Sequence, residues 1–332
     1  MCRPSLYTLS PRAVIRPILD FGPKQHRANL LPMPVPERFS DGSFRFSGGG
    51  TAFTFQRLRP GVMLTTATGF DRGEVGDAPL RVVEAEVRWF RTPLEWFIDA
   101  RQADNANSMV FTRWTEWLGR NAGLLKRLHV LTGGEPMRLT VSIARHLAGA
   151  AGILSIYEDP AAFRAAVNAV VPAYSPATAD PQPVECEVVR DPGRTQVRSS
   201  RSVWVLEPIS PATLLARVAG TEEGILTDLL FEEVERGLSS LHARPAWFVD
   251  LSAVRTISSA AVDNWAAWLD PRRNELSQVH VLAPSSATGL LLAISRFRSN
   301  LAGIIRLHES KDEFEAALKA AAAPAMRFGS GC

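Results

Sequence analysis

Residues 95–100 read EWFIDA and residues 246–251 read AWFVDL. The pair opens an ungapped match between residues 95–169 and residues 246–320, at a constant offset of 151. Trp114, Trp117 and Leu118 fall on Trp265, Trp268 and Leu269, and LHVL at 128–131 falls on VHVL at 279–282. Further along, Ile143 and Arg145 fall on Ile294 and Arg296, GILSIYE at 152–158 on GIIRLHE at 303–309, and Phe163 on Phe314. The match holds 22 identities in 75 positions, where average residue usage gives only ~5 by chance. A period this long is a doubled domain, because solenoid units repeat every ~20–50 residues.

Each copy reads as strands alternating with helices. In the second, SVWVLEP and LLARVAG are β-rich runs around a Pro-containing turn. A helical pattern follows over 221–242, with Thr221 and Glu222–Glu223 suited to its start. AWFVDL is a short apolar run of the kind buried on both faces of a parallel sheet. After it the pattern predicts helix 259–271, strand 278–283, helix 286–299, strand 304–308 and helix 311–322. The first copy predicts strands near 51–57 and 61–67, helix 78–91, strand 95–100 and helix 108–121. Strand 127–131, helix 136–148, strand 153–157 and helix 160–170 complete it. Strands separated by single helices need crossovers, so the expected fold class is α/β: two tandem domains, each a mostly parallel or mixed sheet packed with helices. The opening hairpin is expected to form a mixed edge of each sheet.

Composition narrows the function. Of 332 residues, 46% are hydrophobic and 21% charged, which is globular. The net charge of +3 comes from the N-terminus: residues 1–32 hold five Lys/Arg and one Asp, and the remaining 300 hold 32 basic and 33 acidic side chains. The folded part lacks the concentrated basic face of a nucleic-acid binder. No apolar run reaches the ~18 residues of a membrane span, and Pro and Arg interrupt the N-terminus where a secretory signal would be apolar. Cys2, Cys186 and Cys332 are scattered, with neither disulfide nor metal spacing, which fits a reducing cytoplasm and predicts no metal. GxSxG, GxxxxGK[ST], HExxH, CxxC and GxGxxG are all missing, so neither catalysis nor a cofactor is expected. Gly48–Gly50 joins two strand-like segments and reads as a turn.

Seven prolines in the first 36 residues mark an irregular extension over 1–40. Met33 stands just before the first strand-like segment and is expected to be the true start. The first domain then covers 41–171, a Pro-rich linker 172–200, the second domain 201–323 and a tail 324–332.

The second copy resembles the STAS domain, the fold of bacterial anti-sigma-factor antagonists, with SpoIIAA-like relatives of Sec14-type lipid carriers as neighbours. The resemblance rests on FVDLSAVRTISSAAVDNW, LLARVAG, VHVLAPSSATGLLLAI and IIRLHESKDEFEAAL. It spans roughly 201–322 and reaches 51–170 through the repeat. It implies a regulatory serine at the start of the helix after the central strand, matched by Ser259 and Ser108, where helix amides stabilise a phosphate. The flanking residues depart from the family pattern: Ser258 and Asn107 precede, and Ala260 and Met109 follow. Without modification, Ser108 and Ser259 would serve as helix N-caps.

Other pairs recur. Asp99 and Asp250 end the central strands, where they are expected to accept amide hydrogen bonds from the following turn. His129 and His280 share a strand position and are expected to make fold-supporting hydrogen bonds. Trp114/Trp117 and Trp265/Trp268, three apart, share a helical face that either packs in the core or forms an interface with the sister domain or a partner. The expected function is a non-catalytic, cytoplasmic bacterial signalling or scaffold protein. It would bind a kinase or an anti-sigma factor, with its two domains paired. The alternative is a small-molecule or lipid carrier, its ligand held between sheet and helices and lined by helix 286–299.

Overall fold

The computed structural model describes residues 35–172, 174, 181–241, 244–283, 301 and 303–323. The helix expected at 286–299, the start at Met33 and the tail lie outside them.

The first half runs β1 (Glu37–Phe39), β2 (Phe44–Gly48), β3 (Thr51–Arg59), β4 (Val62–Asp71), α1 (Ala78–Phe90), β5 (Leu94–Ala106), α2 (Ser108–Asn121), β6 (Leu125–Thr132), α3 (Glu135–Leu147), β7 (Leu154–Tyr157) and α4 (Pro160–Val170). After β8 (Pro183–Val184) the second half runs β9 (Cys186–Asp191), β10 (Arg194–Ser199), β11 (Ser202–Ser210), β12 (Thr213–Glu222), α5 (Thr227–Ser239), β13 (Ala246–Ile257), α6 (Ser259–Leu269), β14 (Gln278–Leu282), β15 (Ile305–His308) and α7 (Lys311–Ala322). One sheet has the order β7-β6-β5-β4-β3-β2-β1-β8 and the other β15-β14-β13-β12-β11-β10-β9. In both, the hairpin strands pair antiparallel and the strands joined by helices pair parallel. The molecule is therefore an α/β protein with two mixed sheets, as the repeat predicts.

The offset of 151 governs strand register. Thr51 pairs with Gly69 and Ser202 with Gly220. Trp96 pairs with Leu128 and Trp247 with Val279. Even the irregularities coincide: the shift at Arg57/Arg59 recurs at Pro208/Ser210, and that at Thr66/Thr68 at Arg217/Ala219. One glycine device recurs as well. Gly69 (φ +74) and Gly220 (φ +96) run so close to a neighbouring strand that a Cβ would lie 1.9 Å from Gly50 O and 2.2 Å from Arg201 O.

Period-two alternation explains the apolar central strands. Trp96, Ile98 and Ala100 face the layer holding α1, α2 and α3, while Phe97 faces α4 with Phe163. In the second half Trp247, Val249 and Leu251 face α5 and α6, and Phe248 meets Phe314 of α7.

Four expectations need correction. Residues 186–199, read as linker, form the β9–β10 hairpin, with Pro192 and Gly193 in its turn, where neither breaks a ladder. The extension read as irregular through residue 40 already carries β1. The β3–β4 hairpin lies inside its sheet because β2, β1 and β8 continue it outward. Thr221 and Glu222 end β12; Gly224 (φ +89) turns the chain, and the helix begins at Thr227.

The halves are joined through the C-terminal end of α1. Trp89 and Phe90 enter the core of the second half, edge-on to Phe231 at 5.6 and 5.7 Å. Buried Arg272 donates to Trp89 O (2.5 Å), Trp268 O (2.9 Å) and Arg88 O (3.2 Å), and pairs with Glu235. Arg38 of β1 forms a two-pronged buried ion pair with Asp228 of α5, 2.6 and 2.7 Å. Removing one member of such a pair strands a charge and costs ~3–5 kcal/mol. Arg91 adopts the left-handed region (φ 49) as the C-cap of α1, and its side chain reaches Pro271 O and Glu275 across the junction.

Candidate functional site

The matched serines sit where strand gives way to helix. Asn107 caps α2, its Oδ1 accepting from Val110 N (2.8 Å), and Ser258 caps α6, its Oγ accepting from Ala261 N (3.1 Å). Ser108 and Ser259 are thus the first helical residues, one past the cap, and both are exposed. The caps are tied to the ends of β4 and β12: Asn107 N donates to Asp71 O (3.0 Å) and Ser258 N to Glu222 O (2.8 Å). The carboxylates of Asp71 and Glu222 in turn accept from Gly73 N (2.8 Å) and Gly224 N (2.9 Å). Burial pushes both carboxyls above their ordinary pKa, against these amide hydrogen bonds. Asp71 did not stand out in the sequence, and Glu222 was read only as a helix-start residue. The signal was positional: each closes its strand two residues before a glycine, at matching positions of the repeat.

Of the four matched tryptophans, Trp117, Trp265 and Trp268 are buried and Trp114 half-buried. Trp114 stacks on Phe53 and Trp96, and Trp265 on Trp204. Trp117 Nε1 donates to Glu84 (2.7 Å), and Trp268 Nε1 lies 3.3 Å from Glu235, the equivalent residue. The rings therefore seat α2 and α6 on their sheets. Trp268 also touches the inter-half junction, because the Arg272 guanidinium lies over its ring at 4.3 Å.

Asp99 and Asp250 stand within longer strands than the sequence predicts and accept from the amides of Arg101 (3.2 Å) and Ser252 (2.9 Å). His129 stacks on Phe97 and its Nδ1 lies 2.9 Å from Tyr157 Oη. His280 stacks on Phe248 in the same geometry, with its Nδ1 2.9 Å from His308 Nε2. Among the described residues, no three His, Cys, Asp or Glu side chains gather as a metal site. No described helix is long and apolar enough to cross a membrane.

Sequence reading missed two features of the first half. One is a cavity of about 170 Å³ between the sheet and α2–α3, walled by Phe53, Trp96, Trp114, Val130, Met137 and Val141, with Asp71 at its rim. The equivalent space in the second half is about 70 Å³. The other is the outer face of α3. Met137, Val141 and Ala144 line the cavity, while Leu139, Ile143 and Leu147, at spacing i, i+4, i+8, are 59%, 43% and 67% exposed. Met109, in the first turn of the adjacent α2, is 59% exposed.

No family model matches the chain, and no curated protein matches it. Two of the solved structures that it resembles each cover about a third of the chain. An uncharacterized protein with a SpoIIAA-like fold from Shewanella loihica matches at 17% identity, over 36% of this chain and 97% of its own, with a TM-score of 0.29. An anti-sigma factor antagonist from Mycobacterium paratuberculosis matches at 17% identity, over 36% and 94%, with a TM-score of 0.28. The class the molecule's own topology defines is an α/β protein that builds a mixed sheet with its helices twice over.

Proposed function

We propose that the chain is a non-catalytic, cytoplasmic bacterial scaffold that binds a protein partner through the first half, across the start of α2 and the outer face of α3. The observation that carries this is the stripe Leu139, Ile143 and Leu147. An apolar arc this wide on a helix is normally covered across its width, and contiguous exposed apolar surface marks interaction sites. Ser108 lies exposed beside Met109 at the edge of that surface, where a phosphate would add close to two negative charges. The partner class is a kinase or an anti-sigma factor, and Ser108 and Ser259 are the proposed switch positions. Affinity capture from the native host, with Leu139→Glu/Leu147→Glu as comparison and phosphopeptide mapping of both serines, tests the reading. A partner lost in the double variant supports it. An identical set of captured proteins, with both serines unmodified, overturns it.

The carrier reading is favoured by a separate observation, the apolar cavity under α3. That cavity lies in the first half, between the sheet and α2–α3; the 286–299 segment expected to line a pocket is outside the described residues.

A further inference from the structure

The second half carries its own version of the cavity's contents. Trp204 stands at the position of Phe53, offset 151, and Glu222 at that of Asp71. The Trp204 indole stacks on Trp265 at 5.3 Å, and its Nε1 donates to Glu222 Oε2 at 2.7 Å. In the first half Phe53 stacks on Trp114 in the same way, at 5.8 Å, but a phenyl ring has no N–H. The Asp71 carboxylate, one methylene shorter, accepts only from Gly73 N among the described residues. Other polar groups of the wall are engaged within it. Thr51 Oγ1 donates to Thr68 O, Thr115 Oγ1 to Phe111 O, and Asn105 Oδ1 accepts from Ala106 N.

We propose that the cavity of the first half binds a planar aromatic molecule of one or two fused rings, whose single N–H donates to Asp71 as the Trp204 indole donates to Glu222. The size agrees. A cavity of ~150 Å³ in another protein takes benzene, and about 170 Å³ admits a ring system of this scale and excludes a long acyl chain. The apolar wall supplies affinity, and the Asp71 carboxylate sets orientation. Entry is past α3, whose described side chains are all half-buried or exposed.

This inference rests on the carrier reading, and its test separates the two. Indole and benzofuran, which differ in N–H against O, are titrated calorimetrically into the full chain. The same titrations are made on Phe53→Trp/Asp71→Glu, which rebuilds the second half's plug in the first. Binding of indole at least tenfold tighter than benzofuran, abolished in the double variant while that variant melts no lower than wild type, supports the proposal. Equal affinity for the two probes overturns the Asp71 anchor and leaves the carrier reading standing. Binding of neither overturns both. Indole binding that survives unchanged in the folded double variant places it elsewhere and overturns the site.

Discussion

Trp89→Ala tests how the halves hold together. Trp89 belongs by sequence to α1 of the first half, yet its buried ring is part of the second half's core, against Phe231. Arg57 and Arg88 lie over its ring at 5.7 and 5.8 Å, and its carbonyl accepts from Arg272. A buried tryptophan removes ~150–250 Å² from water, worth ~4–6 kcal/mol at ~25 cal/mol per Å². Measured Trp→Ala costs in cores run ~3–5 kcal/mol, since transfer and cavity terms both enter. At roughly 2 °C per kcal/mol for a chain of this size, the expected fall in melting temperature is about 6–10 °C. Because the lost contact joins the halves, calorimetry should also resolve the single wild-type transition into two, the second half melting first. A variant that melts within about 2 °C of wild type in one transition would refute the reasoning. It would mean that α1 is not a shared element.

Three further outcomes follow from other residues. His280 is held down to about 4 by burial, reinforced by the charges of His308 and Arg306, while the unfolded chain takes up that proton near 6.5. Stability complete above pH 6.5 is therefore lost as pH falls toward 4, by up to ~3 kcal/mol from this group; urea midpoints at pH 7 and 4.5 should differ, and His280→Phe should shrink the difference. Gly69→Ala and Gly220→Ala each drive a Cβ into a backbone oxygen at positive φ, so each should cost ~2 kcal/mol or more. Gly123→Ala, with open space around it, should melt like wild type in the same scanning assay. Arg38→Met strands the Asp228 carboxylate in the junction and should cost ~3–5 kcal/mol, of which Arg38→Met/Asp228→Leu should recover most; equal loss in both would discount the ion pair.

The elements of residues 95–170 and their described counterparts in 246–322 were legible because core tryptophans, His129/His280 and Phe163/Phe314 recur at identical spacing, and large buried side chains tolerate few replacements. The upstream repeat was harder to see, since its strands keep burial pattern and not identity: Phe53 answers to Trp204, Met63 to Leu214 and Ala67 to Val218. The β9–β10 hairpin hid behind its proline. Asp191, Pro192 and Gly193 are turn residues between two alternating runs, so the same proline that reads as linker composition is turn chemistry in place. Serine positions at the helix starts were legible to within one residue; which side chain caps depends on where the first helical turn closes. The cavity and the α3 stripe were not legible. Both depend on how far α3 stands from the sheet, a distance set by packing among Met137, Val141 and Trp114 and not by any local pattern.

The account stands on the doubling, and cross-strand proximity measures it most directly. An experimental determination of strand pairing, by crystallography or by amide contacts in solution, should find Thr51 opposite Gly69 and Ser202 opposite Gly220. It should also find Trp96 beside Leu128 and Trp247 beside Val279. Any pairing in which one half's strands run in a different order, or slip from the 151-residue offset, would contradict it.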